Sequence, residues 1–180
     1  VLVRIGATTA RYLGTYRTTG VAGQTEDSMR QRLVYNWVQP ASRLVRREET
    51  ASSWTGANTT FRQANSNTLN AIGVLVGQLG AALSLGVFAT AESTTSAALL
   101  DVSIGEDSAI TSVTGCGLGR TRVNVAGAEA QVIATCQVFP GVGYHTYQWL
   151  ERVSAQTATW SGTLGGTPPF SWLYGTWQER

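Results

Sequence analysis

His145 is the only histidine in the chain, and Tyr147, Trp149 and Glu151 follow it at alternate positions in "YHTYQWLERV". A histidine with a carboxylate is the usual equipment for general acid–base chemistry, and aromatic rings beside them could stack a sugar. The alternation itself is that of a strand. Six residues of strand place His145 and Glu151 on one face but roughly 20 Å apart, so they cannot share a proton. A serine triad would need a carboxylate beside His145 and a marked serine, and no G-x-S-x-G elbow singles one out. The expectation is a strand histidine that hydrogen-bonds a neighbour.

The other acidic positions carry less. Glu106 and Asp107 in "SIGEDSA" follow a strand and a glycine, but adjacent acids on an extended backbone point to opposite faces and do not form a glycosidase pair. A surface turn is expected there, with a Ca²⁺ loop as the sharper alternative. Glu48 and Glu49 follow Arg46 and Arg47 as a charge run suited to solvated salt bridges or a subunit contact. "GCGLGRTR" has the spacing G-x-G-x-G without the amphipathic helix that would aim N–H groups at a phosphate. It reads as a turn, with Arg120 and Arg122 on one face of the next strand. Cys116 and Cys136 are the only cysteines, too few with one histidine for a zinc ribbon or finger. A disulfide and a pair of buried thiols both remain open. No catalytic, cofactor-binding or metal-ligating residue is assigned, and no cofactor is expected.

Six Trp and six Tyr are present, with Trp149, Trp160, Trp172, Tyr174 and Trp177 in the last third. Core and subunit interfaces enrich such residues, and that reading is preferred here to a carbohydrate platform. Leu33, Trp37, Tyr147, Trp149, Trp160 and Trp172 are the candidate packing or interface residues.

These residues must be positioned by few elements. With 180 residues, the chain suits one well-filled domain, with or without an attachment segment. Val1 to Gly23 reads as an extended arm or first strand. "GQTEDSMRQRLVYNWVQP" predicts an α-helix, with Thr25, Asp27 and Ser28 as N-cap candidates, an apolar stripe of Met29, Leu33, Val34, Trp37 and Val38, and Pro40 as its stop. Beyond Pro40 the period becomes two. "LNAIGVLVGQ", "AALSLGVFAT", "AALLDVSIG", "AITSVTG", "AQVIATCQVF", "YHTYQWLERV", "TATWSG" and "FSWLYGTW" are strand candidates between turn-rich clusters. The predicted fold is all-β: an antiparallel β-sandwich of jelly-roll type over residues 41–180, preceded by an arm and one short helix over residues 1–40.

Charged residues are 13% of the chain and the net charge is +2, which points to neither a nucleic-acid nor a membrane partner. All thirteen basic residues are Arg, supplying planar groups for bidentate pairing and stacking. No apolar run reaches the roughly 18 residues of a bilayer span. The chain starts at Val1 without a signal-peptide pattern and is expected to be a processed chain or the ordered part of a longer one.

"RYLGTYRTTGVAGQTEDSMRQRLVYNWV", "SSWTGANTTFRQAN" and "FPGVGYHTYQWLERVSAQTATWSG" together resemble β-rich structural proteins encoded among tailed-bacteriophage genes. The likeness runs from about Tyr12 to Gly162 and rests on short patterns. It departs from the pattern at Trp37-Val38-Gln39, where an aromatic and then a basic residue would be expected. It implies a non-enzymatic virion component on the particle surface: a head or tail fibre, a spike or a capsid decoration protein. Its partners would be itself, as a homotrimer by analogy with viral jelly rolls, and other capsid or tail proteins. A receptor- or carbohydrate-binding tip that takes a host surface glycan is the first alternative, and a polysaccharide depolymerase the second.

Overall fold

The period-two runs become strands and stack as two sheets. The computed structural model describes residues 13–38, 41–154, 156–163 and 171–178. The first twelve residues of the expected arm, the Pro40 stop, Ala155 between the strand candidates "YHTYQWLERV" and "TATWSG", and Phe170 of the last strand candidate lie outside them. Among the described residues the strands are β1 (Gly14–Tyr16), β2 (Gln31–Arg32), β3 (Val34–Asn36), β4 (Ser42–Glu48), β5 (Ser53–Gly56), β6 (Arg62–Gln63) and β7 (Ala71–Val76). They continue as β8 (Ala82–Ser93), β9 (Ala98–Glu106), β10 (Gly119–Val123), β11 (Glu129–Val138), β12 (Gly143–Val153), β13 (Ala158–Ser161) and β14 (Trp172–Gln178).

One six-stranded sheet runs β10-β9-β12-β7-β2, with β6 also on β12. The other runs β4-β14-β8-β13-β5, with β11 also on β8. β8 is long enough to take β11 along one edge and β13 and β14 end to end along the other. β12 does the same with β9 on one side and β7 and β6 on the other. The inward residues of both sheets form one core that includes Ile72, Val74, Leu83, Val87, Leu100, Ile104, Val132 and Trp149. β10 lies alongside β11 and curls the two sheets toward each other on that side.

The structure corrects the expected helix: no α-helix occurs among the described residues, and 25–38 forms β2, β3 and bends. Leu33 and Tyr35, two apart, are buried, while Met29, Trp37 and Val38 of the supposed stripe are exposed. Val34, Tyr35, Trp37 and Val38 are weak helix formers that suit a pleated surface, and pairing decides the matter. β2 runs parallel to β7, with Gln31 opposite Gly73, and β3 pairs with β1. The expected cap residues have other partners. Asp27 accepts from Arg32 at 3.2 Å and Arg43 at 2.5 Å, and the Thr25 hydroxyl donates to the Arg17 carbonyl at 2.7 Å.

"AITSVTG" is also not a strand. Residues 107–118 form a loop that folds back across β9. Cys116 in this loop is disulfide-bonded to Cys136 of β11, resolving the open question in favour of the bridge. The tie closes 20 residues of sequence separation and fastens the loop to the second sheet. In the chain-entropy view this contributes about 3 kcal/mol by restricting the unfolded chain.

Candidate functional site

β12 carries the chemistry-bearing residues along its inward face. Tyr147, Trp149 and Glu151 are fully buried, and His145 sits at the rim where β12 runs past the end of β9. His145 and Glu151 do not meet, as strand spacing requires.

Sequence reasoning missed what does meet His145. Asp107 takes φ +50°, a left-handed conformation in which the backbone turns back rather than continuing the strand. Both acids therefore come to the same ring. Nδ1 of His145 is 3.0 Å from Asp107 Oδ2 and 3.5 Å from Glu106 Oε1, and Nε2 is 3.0 Å from the Gly141 carbonyl oxygen. Asp107 Oδ1 also accepts from the Thr146 N–H at 2.7 Å and the Thr146 hydroxyl at 3.0 Å. Glu106 Oε1 accepts from the Tyr147 hydroxyl at 2.8 Å. The Gln148 amide nitrogen faces the carbonyls of Thr146, Gly105 and Ser108 at 3.1, 2.9 and 3.2 Å. Gly105 allows the fold-back, since a Cβ there would come within 2.9 Å of the Thr111 carbonyl oxygen and closer still to that of Ser108.

Electrostatics follow from these contacts. Burial works to raise the Asp107 pKa, but the Thr146 N–H, the His145 ring and the Thr146 hydroxyl outweigh it and hold the carboxyl below its ordinary value. Burial pushes the Tyr147 phenol far above its ordinary range, and the hydrogen bond to Glu106 and its charge add to the effect. Tyr147 is thus a hydroxyl donor and not a base. Both His145 nitrogens face oxygen acceptors and neither is aimed at a hydroxyl nucleophile. The cluster is arranged as a latch that ties the start of the 107–118 loop to β12.

Asp107→Ala removes three of the hydrogen bonds in this latch at a partly exposed position. The expected cost is about 1 kcal/mol, together with faster hydrogen exchange at the Thr146 amide. Unchanged protection of that amide would show that the latch does not hold the loop.

Three buried acids lie outside the latch. Glu151 Oε2 accepts from Trp54 Nε1 at 2.8 Å, while Oε1 accepts from Arg62 Nε at 3.0 Å and Nη2 at 2.8 Å and from the Asn65 N–H at 3.3 Å. Asp101 sits between Arg120 and Arg152, at 2.7 Å from the Nε of each. Glu49 accepts from Asn70, Asn67 and the Ala51 N–H. Each pins a loop or strand edge to the sandwich. No group of three or more His, Cys, Asp or Glu arranged to hold a metal ion occurs among the described residues.

The remaining sequence candidates divide between core and surface. Leu33 and Trp160 are buried, Trp172 is partly buried and Trp37 is half-exposed. Trp54 bridges the core tryptophans, edge-on to Trp149 at 5.6 Å and stacked with Trp160 at 6.5 Å. Trp172 stacks on Phe88 at 4.7 Å. With Trp149, Trp160 and Trp177 enclosed, none of those three rings is open to a sugar. No protein-family model matches the chain, and no curated protein matches it.

Proposed function

We propose that this chain is a non-enzymatic assembly protein, a homotrimeric fibre, spike or decoration component displayed on a bacteriophage particle, with a sandwich body of jelly-roll type. The particle class rests on the sequence resemblance. The observation that carries the assembly role is the crowding of exposed apolar side chains at one end of the sandwich. Val76, the last residue of β7, pairs with Gly143, the first of β12, and Leu83 near the start of β8 pairs with Val138, the last of β11. The loops 77–81 and 139–142 therefore emerge side by side, and Leu79, Phe139 and Val142 on them are exposed. Tyr35 packs on Gly77 beside them, which brings the exposed Trp37 and Val38 to the same region. Clustered exposed apolar groups of this kind are what subunit contacts cover. The latch supports the non-enzymatic reading, because its histidine is engaged on both nitrogens.

Light scattering on the purified protein is expected to give three times the chain mass, and Phe139→Arg combined with Leu79→Asp is expected to give one. A wild-type monomer would overturn the assembly role. Release of reducing sugar from polysaccharide, lost in Glu106→Ala, would replace it with the depolymerase reading.

A further inference from the structure

A second region of the molecule has no part in the latch or the apolar end. The bends between β1 and β2 fold over the outer face of β7 and the start of β12 and leave a cleft of about 440 Å³. Its wall is made by Tyr144. Gly73 makes this wall: a Cβ there would stand 2.5 Å from the Tyr144 hydroxyl, so the bare backbone lets the ring lie across β7. The Arg17 guanidinium then stacks on that ring, 3.6 Å from its centroid.

The polar groups lining the cleft are Arg17, Thr18, Thr19, Glu26, Arg30 and Gln31. Among the described residues neither the Arg17 nor the Arg30 guanidinium has a hydrogen-bond or carboxylate partner, although Arg30 is half-buried. This sets them apart from Arg32, Arg43, Arg46, Arg62, Arg120 and Arg152, each of which is paired with a carboxylate. The one acid in the cleft, Glu26, already accepts from the Ser28 hydroxyl at 2.5 Å. Arg17 is held by stacking before any ligand arrives, and the backbone that carries Arg30 is tied to β7 by the Gly73 N–H donating to the Arg30 carbonyl at 2.9 Å. The Thr18 hydroxyl and the Gln31 amide add uncommitted hydrogen-bonding groups at the same mouth.

We propose that this cleft binds a small polyhydroxylated oxyanion, with Arg17 and Arg30 taking a carboxylate or phosphate group and Thr18 and Gln31 taking adjacent hydroxyls. Guanidinium groups match planar and tetrahedral oxyanions through paired N–H donors, and charge-assisted bonds of this kind are stronger than neutral ones. A hexuronate and a sugar phosphate share this chemistry, and the volume suits one such unit. The proposal is independent of the assembly role, since it concerns a different face of the molecule.

The test is calorimetric titration of the full chain with galacturonate, glucose 6-phosphate, inorganic phosphate and glucose. Dissociation constants of about 1 mM are expected for the galacturonate or the glucose 6-phosphate arm, and whichever is tighter identifies the oxyanion. Inorganic phosphate is expected to bind more weakly and glucose not to bind. Arg30→Ala should weaken the tighter ligand by about tenfold or more with an unchanged melting temperature, because that side chain holds nothing in the fold. Arg30→Lys, which keeps the charge but loses the planar fork, should fall between the two and serves if the alanine variant is unstable. Glucose binding as tightly as either anion, no binding by either anion, or equal affinity of the wild type and the Arg30 variants would overturn the proposal. Inorganic phosphate binding as tightly as glucose 6-phosphate would remove the polyhydroxyl part.

Discussion

Trp149→Ala is expected to lower the unfolding free energy by about 4 kcal/mol, the largest effect of any single side-chain truncation considered for this fold. Trp149 is fully buried on β12, opposite Ile104 of β9, and its ring meets Trp54 edge-on. Truncation removes the transfer free energy of an indole and leaves a cavity between two sheets whose strands are paired on both sides. The walls cannot collapse without breaking that pairing, so the cavity cost is retained. The same change withdraws one ring from the Trp54–Trp149–Trp160 stack. Trp149→Phe should cost far less, because Trp149 Nε1 has no hydrogen-bond partner among the described residues, so losing its N–H sacrifices no bond. Urea unfolding followed by far-UV circular dichroism is the check. For a chain of this length the alanine variant should also melt about 10 °C lower. A loss below about 1 kcal/mol would mean that the core repacks freely and that Trp149 is not central to it.

What could be read from sequence and what could not divide along the range of the interactions. β7, β8, β9, β11, β12, β13 and β14 were legible because alternation is local, and the shared face of Tyr147, Trp149 and Glu151 followed directly. The segment 25–38 was misread for the opposite reason. Its acids and hydroxyls at 25–28 mimic a helix cap and its apolar residues fall near a helical period, yet the pairing of Gln31 with Gly73 lies 42 residues away and leaves no local mark. The latch failed on a single dihedral. Two adjacent acids do point apart on extended backbone, and only the left-handed turn at Asp107, made possible by Gly105 beneath it, brings both to His145. An acid in the left-handed region is tolerated more readily than most residues, so "GED" offered a faint signal. The pairing of Arg62 with Glu151 and the choice between bridge and thiols for Cys116 and Cys136 depend on which strands become neighbours, and single-sequence patterns do not encode that.

Glu151 should give the protein an unusual pH profile. Burial pushes its carboxyl up to about 7, against the opposing pull of Trp54, Arg62 and Asn65, from an ordinary value near 4.5. Between those values the folded protein keeps a proton that the unfolded chain gives up. The stability linked to this group is therefore complete below about pH 4.5 and is lost as pH rises through about 7, with a total of about 3 kcal/mol. Asp101, Glu49 and Asp107 run the other way. Burial works to raise each, but Arg120 and Arg152 at Asp101, Ala51 and the asparagines at Glu49, and Thr146 and His145 at Asp107 hold them below their ordinary values. Their contributions are complete above the ordinary carboxylate range and are lost as pH falls through the depressed values. The two trends intersect in mild acid, so maximal stability is expected near about pH 4.5. Urea titrations across this range measure it. Glu151→Gln should flatten the decline toward neutrality, while Glu151→Ala should lower stability throughout by about 3 kcal/mol, because Trp54 Nε1, the Asn65 N–H and the Arg62 guanidinium lose their buried acceptor. A wild-type stability that rises from pH 4.5 to 7 would mean that Arg62, Trp54 and Asn65 outweigh burial and keep Glu151 ionised, which reverses the sign for this one group and leaves the depressed acids to set the profile alone.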